Sequence, residues 1–434
     1  MRNLFITVFF WSPHLETSVY LAAKQASSGN NVKYCFLIVK NIEEKTNFFE
    51  KLCKINKLIK FFKNHEINWE VHFCEPLIPQ RKFNVTSLNH IIKLKHKGEK
   101  LGLGLASTLS DLHCNHKLDL KNLPTLSTKL FHRAANVYDK TISIIKKYQP
   151  DNVYSFNPRF SNTRPIYFAA KKFKLQFLTY EIGSNERKYY VSDRSIFDGV
   201  ERCRLIKAHW GHGSSKKRKI AKEFFLKNQR QWINNKEKNP GQDAKSYIHP
   251  NKINVLFCPS SVEETFALGD LYPKGIFRNQ IDALRYLIKI AEKQKKINLI
   301  LKVHPIITKK SPAERKLWES FRIHKHVKYI AADSELSFYQ LLNMVDRVIV
   351  YHSSTAVEAA FRKKSSMALG SPWYIDLGCI FRPKTKNDIQ EYIFRHKKIK
   401  KNLKFENSLM YGYYLKTFGD LFQSDINEIK KFLS

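Results

Sequence analysis

"INLILKVHPIITKK", residues 297–310, is the stretch from which the rest of this chain can be read. Positions 297–303 are apolar almost throughout, apart from Asn298 and Lys302. A short run of this kind, without polar alternation, reads as a strand buried on both faces, as in a parallel sheet. It ends in His304-Pro305 and then turns basic. Proline cannot donate to a sheet ladder, so the strand must stop there and leave the histidine at its carboxyl end.

Similar runs recur on both sides. In the first half, strands are expected at 4–10, 32–39, 69–74, 152–156 and 175–180, and helices at 16–30, 48–65 and about 127–147. In the second half, strands at 253–258, 297–303, 327–330, 346–351 and 365–369 enclose a helix at about 279–295. Strands alternating with helices imply parallel sheets with helical crossovers. Between the halves, residues 205–250 are polar, basic and weakly periodic except for a short helix. The expected organisation is therefore a Rossmann-like domain over 1–204, a basic linker over 205–250 and a second Rossmann-like domain over 251–400. Helices over 401–434 are expected to pack back toward the first domain.

The chain has 434 residues, with 76 Lys and Arg against 38 Asp and Glu, a formal net charge of +38. So large an excess calls for an anionic partner or is a solvated surface spread along the chain. Seven cysteines at scattered spacings, with no C-x-x-C, argue against a disulfide framework or zinc module and fit a reducing cytosol. The start, "MRNLFITVFFWSPHLE", reads as a first strand rather than a signal peptide, and no apolar run approaches a membrane span. A basic protein could still rest on an anionic inner membrane face.

Ligands of open α/β sheets bind beyond the carboxyl ends of the strands. There the second half offers His304 and, after the strand at 346–351, Ser353, Ser354 and Thr355. Alone, the three hydroxyl residues are an ordinary helix cap and the histidine a packed core residue. Together, about one β-α-β interval apart, they could hold one phosphate, with His304 as a charged donor. Glu358 lies one helical turn on, where a ribose could be gripped. In the first half, Glu181 with Gly183 closes the strand at 175–180 and is a candidate general base, or an exposed loop glutamate. Asn157, Arg159 and Arg164 follow the strand at 152–156, and His14 and Glu16 follow the first strand. These could bind an anionic substrate or shape turns.

Weaker signals are read more plainly. "GEKLGLGLAST" (98–108) lacks the third glycine of a dinucleotide fingerprint and is expected to be a flexible active-site or interdomain loop. "HCNH" (113–116) and "HWGH" (209–212) have no partner cluster at zinc-ligand spacing. "SSKKRK" (214–219) lacks the aromatics of a nucleic-acid patch and reads as a solvated linker or a lipid-facing surface. No D-x-D occurs, so no metal or other cofactor is expected, and a leaving phosphate would be neutralised by protein groups instead.

The order E-x-G, K-x-H-P, S-S-T resembles that of bacterial GT-B sialyltransferases. More broadly, the chain resembles the capsule polysaccharide biosynthesis family, which includes capsule Kdo transferases. The stretches carrying the likeness are 13–23, 156–165, 180–190, 257–264, 279–288, 299–305, 350–360 and 411–422. The sequence departs from the family's usual pattern at Pro158, where members often carry glycine. The resemblance implies a GT-B-like α/β fold: two facing Rossmann-like domains with parallel sheets and an interdomain cleft. It implies transfer from a nucleotide sugar, commonly a CMP-linked acidic sugar, to a glycan or lipid-linked acceptor. By that likeness Glu181 would be the catalytic carboxylate. Lys302, His304, Ser353, Ser354, Thr355, Ser260 and Ser261 would face the donor phosphate, with Glu358 near the nucleotide. His14, Glu16, Asn157, Arg159, Arg164 and Gly183 would lie on the acceptor side. Two other readings stay open: a nucleotide-sugar epimerase of the same fold, and a non-catalytic basic protein binding glycan or nucleic acid.

Overall fold

The structure is a computed structural model that describes the chain except for residues 41–45, 75–82, 84, 86, 115–122, 237–243, 261–266, 270–274, 337, 424 and 434, and the side chains of 113, 114, 228–236 and 425. Its strands are β1 (Arg2–Thr7), β2 (Asn31–Ile38), β3 (Asn68–Phe73), β4 (Asn152–Phe156), β5 (Gln176–Ile182), β6 (Lys188–Ser192), β7 (Ile253–Cys258), β8 (Ile297–Lys302), β9 (Val327–Ile330), β10 (Arg347–Val350), β11 (Ser366–Ala368) and β12 (Asp420–Leu421).

Two sheets form. The first has the order β12-β6-β5-β4-β1-β2-β3 and the second β11-β10-β7-β8-β9. The second is parallel throughout; in the first, β6 and β12 are antiparallel additions at one edge. Each parallel core repeats one pattern: its first strand is central, the next two run to one side and the following two to the other. The strand order therefore reverses beside β1 and beside β7, where such folds bind ligands. The protein is thus two Rossmann-like α/β domains joined in the GT-B-like manner.

The apolar runs become buried strands because helices cover both faces. All six residues of β8 and all four of β10 are buried. Edge strand β3 is only half-buried, and there Glu70 and His72 alternate with apolar residues. Helix boundaries follow local chemistry. The Asn279 side chain accepts from the Asp282 N–H at 2.9 Å and starts helix Gln280–Lys293. Asn279→Ala is expected to cost about 1 kcal/mol, read as a melting temperature lower by roughly 2–4 °C; an unchanged melt would remove this role for the cap.

Two expectations fail. Residues 205–236 are not a linker with one short helix: helix Gly199–Trp210 and helix Ser215–Lys236 run through them. Both pack on the second domain. Cys203, Ile206 and Phe225 are in its core, and the Phe225 ring stacks on Phe361 at 4.4 Å. The basic run also fixes these helices in place: Lys217 Nζ donates to the Trp210 carbonyl at 2.6 Å and joins the pair, and Arg218 ties the second helix to Glu406 of the turn Phe405–Asn407 at 3.0 Å. Few apolar residues mark these helices because only a narrow stripe is covered.

The stretch 98–108 is not a loop either, since helix Gly102–Cys114 begins within it. Its glycines mark close packing: a Cβ on Gly102 would stand 1.9 Å from the Ile91 carbonyl oxygen, and one on Gly104 2.9 Å from that of Phe160.

The chain ends by crossing back. Helix Ser408–Thr417 packs on the two helices of 199–236, β12 then pairs with β6, and helix Asp425–Leu433 lies on helices His14–Ser27 and Phe48–Asn64.

Candidate functional site

At the carboxyl end of the second sheet lies a cavity of about 500 Å³. It takes residues from the ends of four strands and just beyond them: Cys258, the last residue of β7, with Pro259; Lys302, the last residue of β8, with Val303–Pro305; Ala332–Glu335 after β9; and Ser353–Thr355 with Glu358 after β10. Five expected donor-side residues and Glu358 therefore share one wall system. His304 and Ser353 are separated by two strands along the chain rather than one interval, yet β8 and β10 flank β7, which brings both ends to the same opening.

The His-Pro step has a local explanation. Pro305 opens a short 3-10 turn, Pro305–Lys309, and the His304 Nδ1 accepts the Ile306 N–H at 3.1 Å. With Nδ1 as acceptor, the neutral ring carries its proton on Nε2 and can donate it to a ligand. Burial, then Lys302 and Lys310, lowers the His304 pKa below its ordinary value. The unliganded ring is therefore a neutral donor, not the charged one expected, although an approaching phosphate would favour its protonation.

Lys302 supplies the fixed charge. Its ammonium is buried and donates to the carbonyls of Val303 at 3.1 Å and Ala331 at 3.2 Å. Burial lowers its pKa, opposed by Cys258 and Asp333. The Ser353 and Thr355 hydroxyls lie 2.9 Å apart, and Tyr374 donates to the Ser353 carbonyl. Ser354 precedes helix Thr355–Phe361 without capping it through its side chain; its hydroxyl donates to Glu358 Oε1 at 3.3 Å. Tyr339 donates to Glu358 Oε2 at 2.9 Å. Burial raises the Glu358 pKa against those two bonds and Arg362.

The segment after β9 was not anticipated. Asp333, Ser334, Glu335, Phe338 and Tyr339 all line the cavity, and the last two provide an aromatic side. The strand-end rule applied to "VKYIAADSELSFY" would have found them. Ser260 is corrected: its backbone exchanges two 2.9 Å bonds with the Gln280 amide, and it does not line the cavity. Ser261 lies outside the described residues.

On the facing domain, Glu181 stands near the end of β5, paired with Tyr190 of β6. Burial raises its pKa to about 7, against a hydrogen bond from Asn157 and the charges of Arg202 and Arg159. A carboxyl that titrates near neutrality suits proton transfer. Arg202 was not singled out from the sequence. It is 4% exposed, its guanidinium lies 4.6 Å from the ring centres of both Tyr190 and Trp373, and its Nε and Nη1 have no hydrogen-bond partner. Nothing local in "DGVERCRL" predicts that setting.

The other first-domain expectations divide. Asn157 holds Glu181, and Arg159 lines a second cavity, of about 330 Å³, together with Phe197, His352, Ser371, Pro372, Trp373, Tyr374 and Tyr411. Arg164 is corrected: it is fully buried and ties the domains by donating to the Leu268 carbonyl at 3.1 Å. Gly183 is corrected too. A Cβ there would meet the Phe418 carbonyl oxygen at 2.8 Å, so the glycine admits the returning chain rather than a ligand. His14 packs on Phe156 with ring centres 4.1 Å apart, and burial lowers its pKa to about 4. Glu16 is buried in helix His14–Ser27, with one carboxyl oxygen unpartnered. Neither lines either cavity.

Among the described residues, Cys35, Glu70 and His72 form the one group whose metal-type ligand atoms lie within 4.8 Å of one another. Lys33 and Lys147 already stand 3.2 and 2.9 Å from Glu70, and burial pushes the Cys35 thiol up to about 12. Ammonium groups occupy the place a cation would take. His209 stacks on Tyr413 and bonds Thr417 at 2.8 Å, while "HCNH" falls outside the described side chains.

Residues 228–412 match the family model described as capsule polysaccharide biosynthesis protein. That segment holds all five strands of the second sheet. The match takes in the cavity after β7–β10 and ends before the chain returns to the first sheet. No curated protein matches the chain. Among solved structures, the chain is similar to the Thermosulfurimonas dismutans KpsC beta Kdo 2,4 transferase, with 17% identity, a TM-score of 0.39 and coverage of 66% of this chain and 88% of that one. It is also similar to the UDP-GlcNAc 2-epimerase from Neisseria meningitidis bound to UDP-GlcNAc, with 11% identity, a TM-score of 0.29 and coverage of 95% and 97%. A glycosyltransferase from Rickettsia africae follows at 11% identity and a TM-score of 0.26, covering 100% of this chain and 98% of that one.

Proposed function

We propose that this protein is a glycosyltransferase. It would move a sugar, an acidic one carried by CMP such as Kdo or a sialic-type sugar, onto a glycan or lipid-linked acceptor of a surface polysaccharide. The observation that carries this reading is the convergence of Lys302, His304, Ser353, Ser354 and Thr355 on one cavity at the strand ends. Those groups complement a phosphate, and the Phe338 and Tyr339 rings with Glu358 complement a nucleoside.

In the transfer, Glu181 takes the proton of an acceptor hydroxyl, and that oxygen bonds to the anomeric carbon. The bond from that carbon to the phosphate oxygen breaks, and its electron pair leaves with the nucleotide. His304 donates through Nε2 to the departing phosphate, and Lys302 offsets its charge. The reaction needs no metal in this reading, so it survives chelation with EDTA.

A groove of about 750 Å³, with Lys93, Lys95, Lys100 and Lys171 around Leu103 and Phe168, supports an anionic acceptor. Among the described residues no helix is long and apolar enough to cross a membrane. Peripheral contact of this basic protein with an anionic inner membrane face is part of the proposal.

The test is a thermal-shift screen followed by turnover. CMP at about a hundred times its dissociation constant should stabilise the protein by about 2.7 kcal/mol, with UDP and GDP weaker. CMP-sugar incubated alone should persist or hydrolyse slowly and be consumed on adding acceptor. Conversion of a sugar nucleotide without acceptor would favour the epimerase instead. Salt-dependent binding to polymer with no response to any nucleotide would favour a binding protein.

A further inference from the structure

Arg202 sits where the two domains and the returning chain meet. Its helix, Gly199–Trp210, is pinned to the second domain on either side of it. A Cβ on Gly199 would stand 2.8 Å from the Ser371 carbonyl oxygen, so glycine lets the first turn lie that close. One turn on, the Cys203 thiol donates to the Trp373 carbonyl at 2.8 Å, and its sulfur accepts the Asp376 N–H at 3.1 Å. The side chain between these pins is placed against four rings. The guanidinium carbon lies 4.6 Å from the ring centres of Tyr190 in β6 and of Trp373 in the second domain. Phe418 and Tyr414 of the returning chain follow at 5.5 and 5.6 Å.

Ring faces attract a cation, yet they do not replace the acceptors that its N–H groups lose on burial. Arg202 is 4% exposed, and its Nε and Nη1 have no acceptor. Burying a guanidinium on those terms costs stability, and an apolar side chain would fill such a cage more favourably. The setting therefore points to a use for the charge. Tyr190 stands directly opposite Glu181 in the β5–β6 register. Residues so paired emerge on the same face with Cβ atoms about 5 Å apart. The ring that carries the guanidinium is thus the neighbour of the carboxyl, and the Arg202 charge acts on Glu181.

We propose that Arg202 is a positioning residue for Glu181, a cation that the second domain carries to the candidate base of the first and that favours the charged carboxylate there. Its effect on rate rests on Glu181 being the base of the proposed transfer; the coupling of the two groups does not.

Other groups act on the same carboxyl. Asn157 donates to it, Arg159 adds a second charge, and the hydroxyls of Tyr180 and Tyr190 interact with it. Helix His14–Ser27 packs on β5 and carries Glu16 and His14, the latter kept neutral by burial. Helix Arg164–Lys172 packs there too, with Arg164 committed to the Leu268 carbonyl. None of these changes in the Arg202 variants, so a moved titration reports on Arg202.

The experiment measures the stability of the full chain against pH by urea unfolding, with no ligand, for the unaltered protein and Glu181→Gln. Their difference reports the Glu181 titration. The native carboxyl holds its proton to higher pH than the unfolded one, so the unaltered protein loses stability relative to Glu181→Gln between about 4.5 and about 7. The same pair is then measured with Arg202→Met, which removes the charge and leaves an apolar stem among the rings. The upper end of the window should move up by about one pH unit, and Arg202→Lys should move it less. A purely structural Arg202 would shift both curves equally at every pH, and a difference curve unchanged by Arg202→Met overturns the proposal. Should Arg202→Met not fold, Arg202→Gln takes its place in the same comparison. The turnover assay separates the two readings. If the acid limb of the rate moves up with the titration, both stand. A moved titration with an unmoved limb keeps the coupling and removes Glu181 as the base. An unmoved titration with a limb that disappears in Glu181→Gln removes Arg202 and leaves the base.

Discussion

His304→Ala is expected to lower kcat/KM by about 10²–10⁴-fold while the protein stays folded. The ring stands partly in solvent at the opening of the cavity after β8, so removing it leaves no void in the core. What is lost locally is the bond from the Ile306 N–H to Nδ1, the cap of a short turn, worth about 1 kcal/mol. What is lost chemically is larger. Among the described residues no other imidazole lines that cavity, and Lys302 is held by two backbone carbonyls and cannot swing to replace it. Steady-state rates with donor and acceptor, together with a melting curve, check both parts. A variant that keeps full turnover would remove His304 from the mechanism, and one that unfolds would make it structural.

Glu181→Gln is expected to reduce turnover by a comparable factor, about 10²–10⁴, and to change the shape of the pH profile. The unaltered carboxyl titrates at about 7 because burial outweighs Asn157 and the two arginines. A base must be ionised to act. The rate should therefore rise with pH up to about 7, falling about tenfold per unit below it, and level off above. The amide variant should lose that limb. Stability runs the opposite way. The native carboxyl holds its proton up to a higher pH than in the unfolded chain, so the native state binds more protons between about 4.5 and about 7. Glu181 therefore costs stability as pH rises through that window, and the variant should melt higher than the unaltered protein above it. A rate profile that keeps its limb in Glu181→Gln would assign the base to another group.

The positions legible from sequence share one property. His304, Ser353, Ser354 and Thr355 directly follow apolar runs whose strand character is local, and their chemistry lies at the point where that pattern breaks. Arg164 and Gly183 also follow strands, yet they serve contacts with residues more than a hundred positions away: Arg164 with Leu268, and Gly183 with Phe418. A rule based on neighbours in sequence cannot separate them from ligand-facing groups. Arg202 is the converse case. Its surroundings read as an ordinary charged helix, while its rings come from β6, from Trp373 and from the returning chain.

By itself the amino-acid sequence determined the alternation of buried strands and helices, the two-domain plan and the strand ends where a site could lie. Those features follow from side-chain periodicity and from proline and glycine, which act within a few residues. Only the tertiary structure decided that residues 205–236 dock as two helices, that Gly102 and Gly104 stand in a packed helix, and that Arg159 and Arg202 meet Glu181. These outcomes depend on which surfaces cover one another after the chain crosses between domains and back. Such coverage depends on contacts between distant segments, and no local run of sequence carries it.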